Sequence, residues 1–136
     1  MELNELALKL SQYETEGSSF ESFFINDVGQ EVLQVIVDGN DELPIFVTRT
    51  DEQILCICYL FSEEEINADK HAELNDTLLR LNVPMPLSAF AKIDNKYAVF
   101  GALSTSSTIE QLSHEIITLA ANSIDALEAI SDYLTE

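Results

Sequence analysis

Basic residues are scarce in this chain. Six Lys and Arg stand against 25 Asp and Glu, a formal charge of −19 over 136 residues. None lies between Lys9 and Arg49, and none follows Lys96. Nucleic-acid backbones recruit Lys and Arg, so no nucleic-acid partner is expected. Anionic membrane surfaces are disfavoured on the same ground. Only two cysteines occur, Cys56 and Cys58, and they are not spaced like a secreted disulfide framework. No basic leader followed by an apolar run opens the sequence, so no signal peptide is read there. No stretch approaches the roughly 20 apolar residues that span a bilayer. These absences predict a cytoplasmic protein of bacterial type without direct membrane insertion. G-x-S-x-G, H-E-x-x-H, G-x-x-x-x-G-K-[ST] and G-x-G-x-x-G are all missing. No catalytic residue, cofactor or metal is therefore assigned.

What is present is enough apolar sequence, 46%, to fold rather than stay disordered. The length predicts a single α+β domain over residues 1–136. Its organising stretch is Gln53–Phe61, rich in strand formers and too short for an average helix. In a strand, Ile54, Cys56, Cys58 and Leu60 share one face, and Leu55, Ile57, Tyr59 and Phe61 the other. Both faces are apolar, so an interior strand is expected. One side should carry helix, and the other either the first helix or a subunit partner.

The remaining elements follow from periodicity. Leu3, Leu6, Leu10 and Tyr13 have helical spacing, and Gly17-Ser18-Ser19 ends that helix. Phe20–Ile25 is read as a first, irregular strand, followed by a turn at Asn26-Asp27-Val28-Gly29. Glu31–Val37 and Leu43–Thr48 are strands separated by the Asp38-Gly39-Asn40-Asp41 turn. Ser62 and Glu65 form a capping box, which predicts a helix from there to about Leu81 with His71, Leu74, Leu78 and Leu81 on its apolar stripe. Pro84 and Pro86 force an extended path into a hairpin, Leu87–Ile93 with Lys96–Leu103. Its small residues, Ala89, Ala91, Ala98, Gly101 and Ala102, suggest that a helix approaches closely. Thr108 with Gln111, or Ser107 with Glu110, caps a last helix, Ile109–Leu134. Such a helix is long for the domain. It either rests partly on a second copy or breaks near Asn122-Ser123.

Candidate chemistry is weighed against packing. Cys56 and Cys58 are read as small buried hydrophobes. His71 is read as a core or interface histidine, and His114 as a partner of a neighbouring carboxylate. Glu63-Glu64-Glu65 is read as a solvated first turn, not a metal site. Asp38–Glu42 lacks the ligand pattern of a calcium loop. The Gly101–Ser107 turn enters a helix N-terminus, where Ser104, Ser106, Ser107 and His114 are candidates for an anion or small-ligand site.

Leu33-Gln34-Val35, Glu42–Thr48, Glu52–Leu55, Pro86-Leu87-Ser88 and Phe100–Ser104, in that order, resemble the small bacterial YjfI-like family across nearly the whole chain. Its members tend to be encoded near proteins resembling the phage-shock protein PspA. The resemblance implies a link to an envelope-stress or membrane-associated system. It carries no catalytic residues over. The element order also resembles type III secretion chaperones and YbjN-like proteins, which implies dimerisation and binding of an extended partner segment. The expected fold is an antiparallel sheet of about five strands with flanking helices, in the order α-β-β-β(-β)-α-β-β-α. The expected function is a non-catalytic, chaperone-like or adaptor module, working as a homodimer on a protein client with basic flanks. Pro44, Phe46, Met85, Leu87, Leu119 and Leu127 are the candidate contacts. The alternatives are a ligand-binding protein or enzyme using the Gly101–Ser107 turn with His114, and a structural subunit of a membrane-associated complex.

Overall fold

The computed structural model describes residues 2–12, 19–27 and 30–135, and the side chains at 26, 27 and 30 fall outside that description. Tyr13, Gly17 and Ser18 of the expected first helix end, and Val28 and Gly29 of the expected first turn, lie outside the described residues. Among the described residues three α-helices, α1 (Leu3–Gln12), α2 (His71–Leu81) and α3 (Ile109–Ile130), accompany six strands. The strands are β1 (Phe20–Asp27), β2 (Gln30–Val37), β3 (Ile45–Arg49), β4 (Ile54–Ser62), β5 (Ala89–Ile93) and β6 (Lys96–Leu103). The class is α+β, and the element order is the expected one with the fourth strand of the first group present. β1 is a regular strand, paired with β2 along its whole length.

All strands are antiparallel, in the order β1-β2-β3-β4-β6-β5. β4 is interior, between β3 and β6. Its first face behaves as the alternation requires: Ile54, Cys56 and Cys58 are fully buried. They meet Val35, Val47, Val99, Leu112, Ile116 and Leu119 in the main core. The β2–β3 turn reverses the chain over Asp38 and Gly39, both at positive φ (46° and 82°), with the Asn40 amide donating to the Val37 carbonyl at 2.8 Å.

α1 and α3 lie on the same sheet face, through Leu3, Leu6 and Leu10 of the first and Leu112, Ile116 and Leu119 of the second. α2 joins that side at the sheet's end, where Leu74 and Leu78 pack with Phe61, Tyr97 and Ile130. The first helix therefore does not cover the second face of β4.

Three local departures from the expected elements have identifiable causes. Between Tyr59 and Phe61 the β4–β6 register shifts by a bulge. The extra residue turns Phe61 onto the helix side, where its ring stacks on Tyr97 at 4.9 Å. The Ser62–Glu65 box forms, with Glu65 accepting from the Ser62 amide at 2.8 Å, but it starts only a short 3-10 turn. Ile66 then pairs with Leu134, and the Lys70 amide closes a turn on the Asn67 carbonyl, so α2 begins at His71. At the other end of the chain, α3 runs unbroken through Asn122-Ser123 for 22 residues, about 33 Å. The Ser123 hydroxyl donates to the Leu119 carbonyl within the same helix at 2.8 Å, which satisfies it without a kink.

Candidate functional site

Because the helices share one side, the other sheet face is left to itself. The register assigns to it Phe23 and Ile25 of β1, Val32 and Ile36 of β2, and Phe46 of β3. Leu55, Ile57 and Tyr59 of β4 follow, then Ala98, Phe100 and Ala102 of β6 and Ala89, Ala91 and Ile93 of β5. None of these residues belongs to either described core cluster. Most are half-buried by one another, and Phe23 is 47% exposed. The alanines expected beneath a helix thus lie on the uncovered face, and only Gly101 of that set meets α3.

Five strand spacings and the five residues of the shorter strands make a face of about 24 by about 17 Å, roughly 400 Å². The register also places on it the exposed Glu21 of β1, opposite Ile36, and the polar Gln34 and Thr48. Across β2, β3, β4, β6 and β5 the single charged residue on this face is Lys96, whose ammonium lies 5.3 Å from the Tyr59 ring centre. Phe46 packs its ring 5.8 Å from the same tyrosine at 57°. Many of the acids instead occupy helices and turns, as at Asp38, Asp41, Glu42, Asp51, Glu52 and Glu63–Glu65.

The expected contact residues do not form one site. Phe46 is on the open face, and Pro44 stands half-buried just before β3. Met85 and Leu87 are at the opposite edge, in the loop before β5; Met85 lines a cleft of about 220 Å³ with Pro84, Phe90 and Ala126. Leu119 is completely buried, which leaves it no surface for a partner, and Leu127 packs half-buried against the second cluster. Reading by alternation found Leu55, Ile57 and Tyr59, but not that Phe100 and Ile36 would join them. That juxtaposition needs the strand order.

The Gly101–Ser107 turn is occupied with its own geometry. The Ser104 and Ser106 hydroxyls bond each other at 2.8 Å, and the Ser107 amide donates to the Ser104 carbonyl at 3.0 Å. Thr108 is the N-cap: its hydroxyl accepts from the Gln111 amide at 3.2 Å, and Gln111 accepts from the Thr108 amide at 2.9 Å. His114 is exposed on α3. Neither this histidine nor the serines line the 220 Å³ cleft or a second one of about 300 Å³ between α2 and β5. Among the described residues no three His, Cys, Asp or Glu are grouped to hold a metal ion. Burial pushes both thiols up, which keeps Cys56 and Cys58 protonated and poorly nucleophilic. No helix among the described residues is long and apolar enough to cross a membrane.

One buried group escaped the sequence reading. Glu115 of α3 is 6% exposed and packs where a Cβ on Gly101 would sit. Its Oε2 has no hydrogen-bond partner, and burial pushes its pKa up, opposed by the charge of His114.

Comparison with known proteins places this geometry in a family. A family model described as "Uncharacterized protein conserved in bacteria (DUF2170)" matches residues 1–134. The protein YjfI of Escherichia coli K12 is 32% identical over 114 residues, 79% of this chain and 84% of that protein. YjfI of Escherichia coli O157:H7 gives the same values. Among solved structures, the crystal structure of the ExsC–ExsE complex has a TM-score of 0.48 and 11% identity over 90% of this chain and 92% of that one. The chain belongs to the bacterial DUF2170 family and is a relative of the YjfI proteins.

Proposed function

We propose that this chain is a non-catalytic protein-binding module, chaperone-like or adaptor in use, and that it works as a homodimer joined through the uncovered sheet face. The observation that carries the reading is the largely apolar face opposite the helices, where the charged residues placed by the register are Glu21 and Lys96. Two copies stacked there bury Ile57, Tyr59, Phe46 and Phe100 against their equivalents, as two sheets pack in a sandwich. Most acids stay at the rim and the outer sides, and Glu21 sits at the β1 edge of the face, so little of a total charge of twice −19 opposes itself across the centre of the contact.

Mass measurement of the native protein by light scattering and native mass spectrometry tests this. A dimer at micromolar concentration is expected. Ile57→Glu is expected to raise the dimer dissociation constant at least about 100-fold, since it buries an unpaired charge at the centre of the contact. Its circular dichroism should be unchanged. A wild-type protein that stays monomeric at these concentrations removes the reading.

A further inference from the structure

The 300 Å³ cleft between α2 and β5 lies on the helix side of the sheet, away from the open face. Its walls are largely apolar. Leu78 and Tyr97 are buried, Phe90 is half-buried, and Leu79 stands 70% exposed beside them. Among the described lining residues the single charged side chain is Lys92, in a chain with 25 acids and only 6 bases. A cleft lined by a cation and no carboxylate departs from the rest of this surface.

Hydrogen bonds within the chain spend the acceptors of this cleft and leave its donors. Asn75 Oδ1 accepts from the Tyr97 hydroxyl at 2.8 Å, and Asn82 Oδ1 accepts from the Phe90 amide at 2.8 Å. The Lys92 ammonium lies 5.4 Å from the Tyr97 ring centre and 3.1 Å from Glu63 Oε1. That ion pair is exposed on both sides, 42% and 44%, so it is weak, and it engages one of three ammonium hydrogens. Asp76, next to Asn75 on α2, is taken up by Arg80 at 2.8 Å. Asn75 and Lys92 both meet Tyr97, so their donors stand at one end of the cleft, and Asn82 and Phe90 mark the other. The loop into β5 holds the Phe90 wall in place. Leu87, 58% exposed, has φ +65°, and the Ser88 amide donates to the Pro86 carbonyl at 2.8 Å, a γ-turn of the rare hand. Asn122 of α3 clamps that turn, donating to the Pro86 carbonyl at 2.8 Å and to Ser88 Oγ at 3.0 Å.

We propose that this cleft binds a small amphipathic carboxylate, an apolar chain or ring with one anionic head. The head sits at the Tyr97 end and accepts from Asn75 Nδ2 and the Lys92 ammonium. The apolar body runs along Leu78 and Leu79 to Phe90. A volume of about 300 Å³ is at the low end for ligand pockets, which limits the body to a short chain or a single ring. A cationic ligand is excluded by the same bonds, because both asparagine carbonyls are already occupied. The chain's charge of −19 opposes an anion only at long range, since a Debye length of about 8 Å at 0.15 M screens it, while the Lys92 contact is direct. The site is on the side of the sheet away from the dimer face, so it stands whether or not that dimer forms.

The test titrates octanoate into the whole protein and follows it by amide NMR. Saturable binding is expected, with the largest shifts at the Phe90 and Lys92 amides and the Asn75 side-chain amide. Octanol and octylammonium, with the same chain and a neutral or cationic head, should bind at least tenfold more weakly. Lys92→Met keeps the stem beside Tyr97, removes the ammonium and is expected to weaken octanoate about tenfold, the scale of a hydrogen bond to a charged group. Leu79→Asp changes an exposed position, so the fold should persist. It should also weaken octanoate at least tenfold, and it decides the matter if Lys92→Met does not fold. Absence of saturable binding up to millimolar octanoate, equal binding of octanol or octylammonium, shifts confined to the open face around Phe46 and Ile57, or unchanged binding by folded variants overturns the proposal.

Discussion

A carboxyl group at position 115 has to be desolvated for α3 to lie on the sheet, and Gly101 is the residue that makes room for it. Oε2 finds no donor there, while the Cys56 thiol and the His114 charge are its titratable neighbours. The folded-state pKa is raised, so the folded form holds the proton more tightly than the unfolded chain does. The resulting stability is full below the unfolded carboxylate range and is lost as pH rises through the raised folded value. Glu115→Gln removes that loss. It should make the protein more stable than wild type near neutral pH, by less than the full cost of an unsatisfied buried group because the amide is itself left without a partner. Relative to wild type, the gain should shrink towards pH 4.5. Urea unfolding at pH 4.5 and 7.5 decides it, and parallel behaviour of the two proteins would refute the assignment. Residue-scale chemistry was partly legible in the sequence. Burial of Cys56 and Cys58 follows from alternation. Burial of Glu115 does not, because a glutamate within an apolar helix stripe looks like one more acid in an acidic chain.

At the scale of elements, the loop between α2 and β5 stores strain where the neighbouring strands store none. A γ-turn centred on Leu87 replaces the two strand residues that alternation predicts at 87 and 88, and Asn82 and Asn122 bracket it. Glycine carries no Cβ penalty at positive φ, and Leu87 gives up little buried surface. Leu87→Gly should therefore raise stability by about 0.5–1 kcal/mol, the αL penalty less glycine's extra backbone entropy. A thermal melt shifted downward would show that the leucine is compensated after all. The α2 boundary was illegible for a related reason: the Ser62–Glu65 box is a true start signal, but the bridge between Ile66 and Leu134 interrupts what it starts.

The whole molecule separates its two properties in space. Its apolar face is on one side of the sheet, and its carboxylates crowd the helices and turns. A net charge of −19 opposes the compact state by self-repulsion, and salt screens it, with a Debye length falling from about 30 Å at 0.01 M to about 8 Å at 0.15 M. Stability should therefore rise measurably between 10 and 150 mM sodium chloride in chemical denaturation at constant protein concentration. A flat response would mean that the acids are spaced too widely to interact.

The sequence by itself determined most of the element types, the interior position of β4 and the apolar character of both its faces. These follow from period-2 and period-3.6 patterns, which are local in the chain. Tertiary structure alone decided that α1, α2 and α3 share one side, that a bulge carries Phe61 over to them, and that Phe46, Ile57 and Phe100 come to lie side by side. Strand order and helix side depend on contacts between segments far apart in the chain. A strand that is apolar on both faces carries no mark of which face the helices will take.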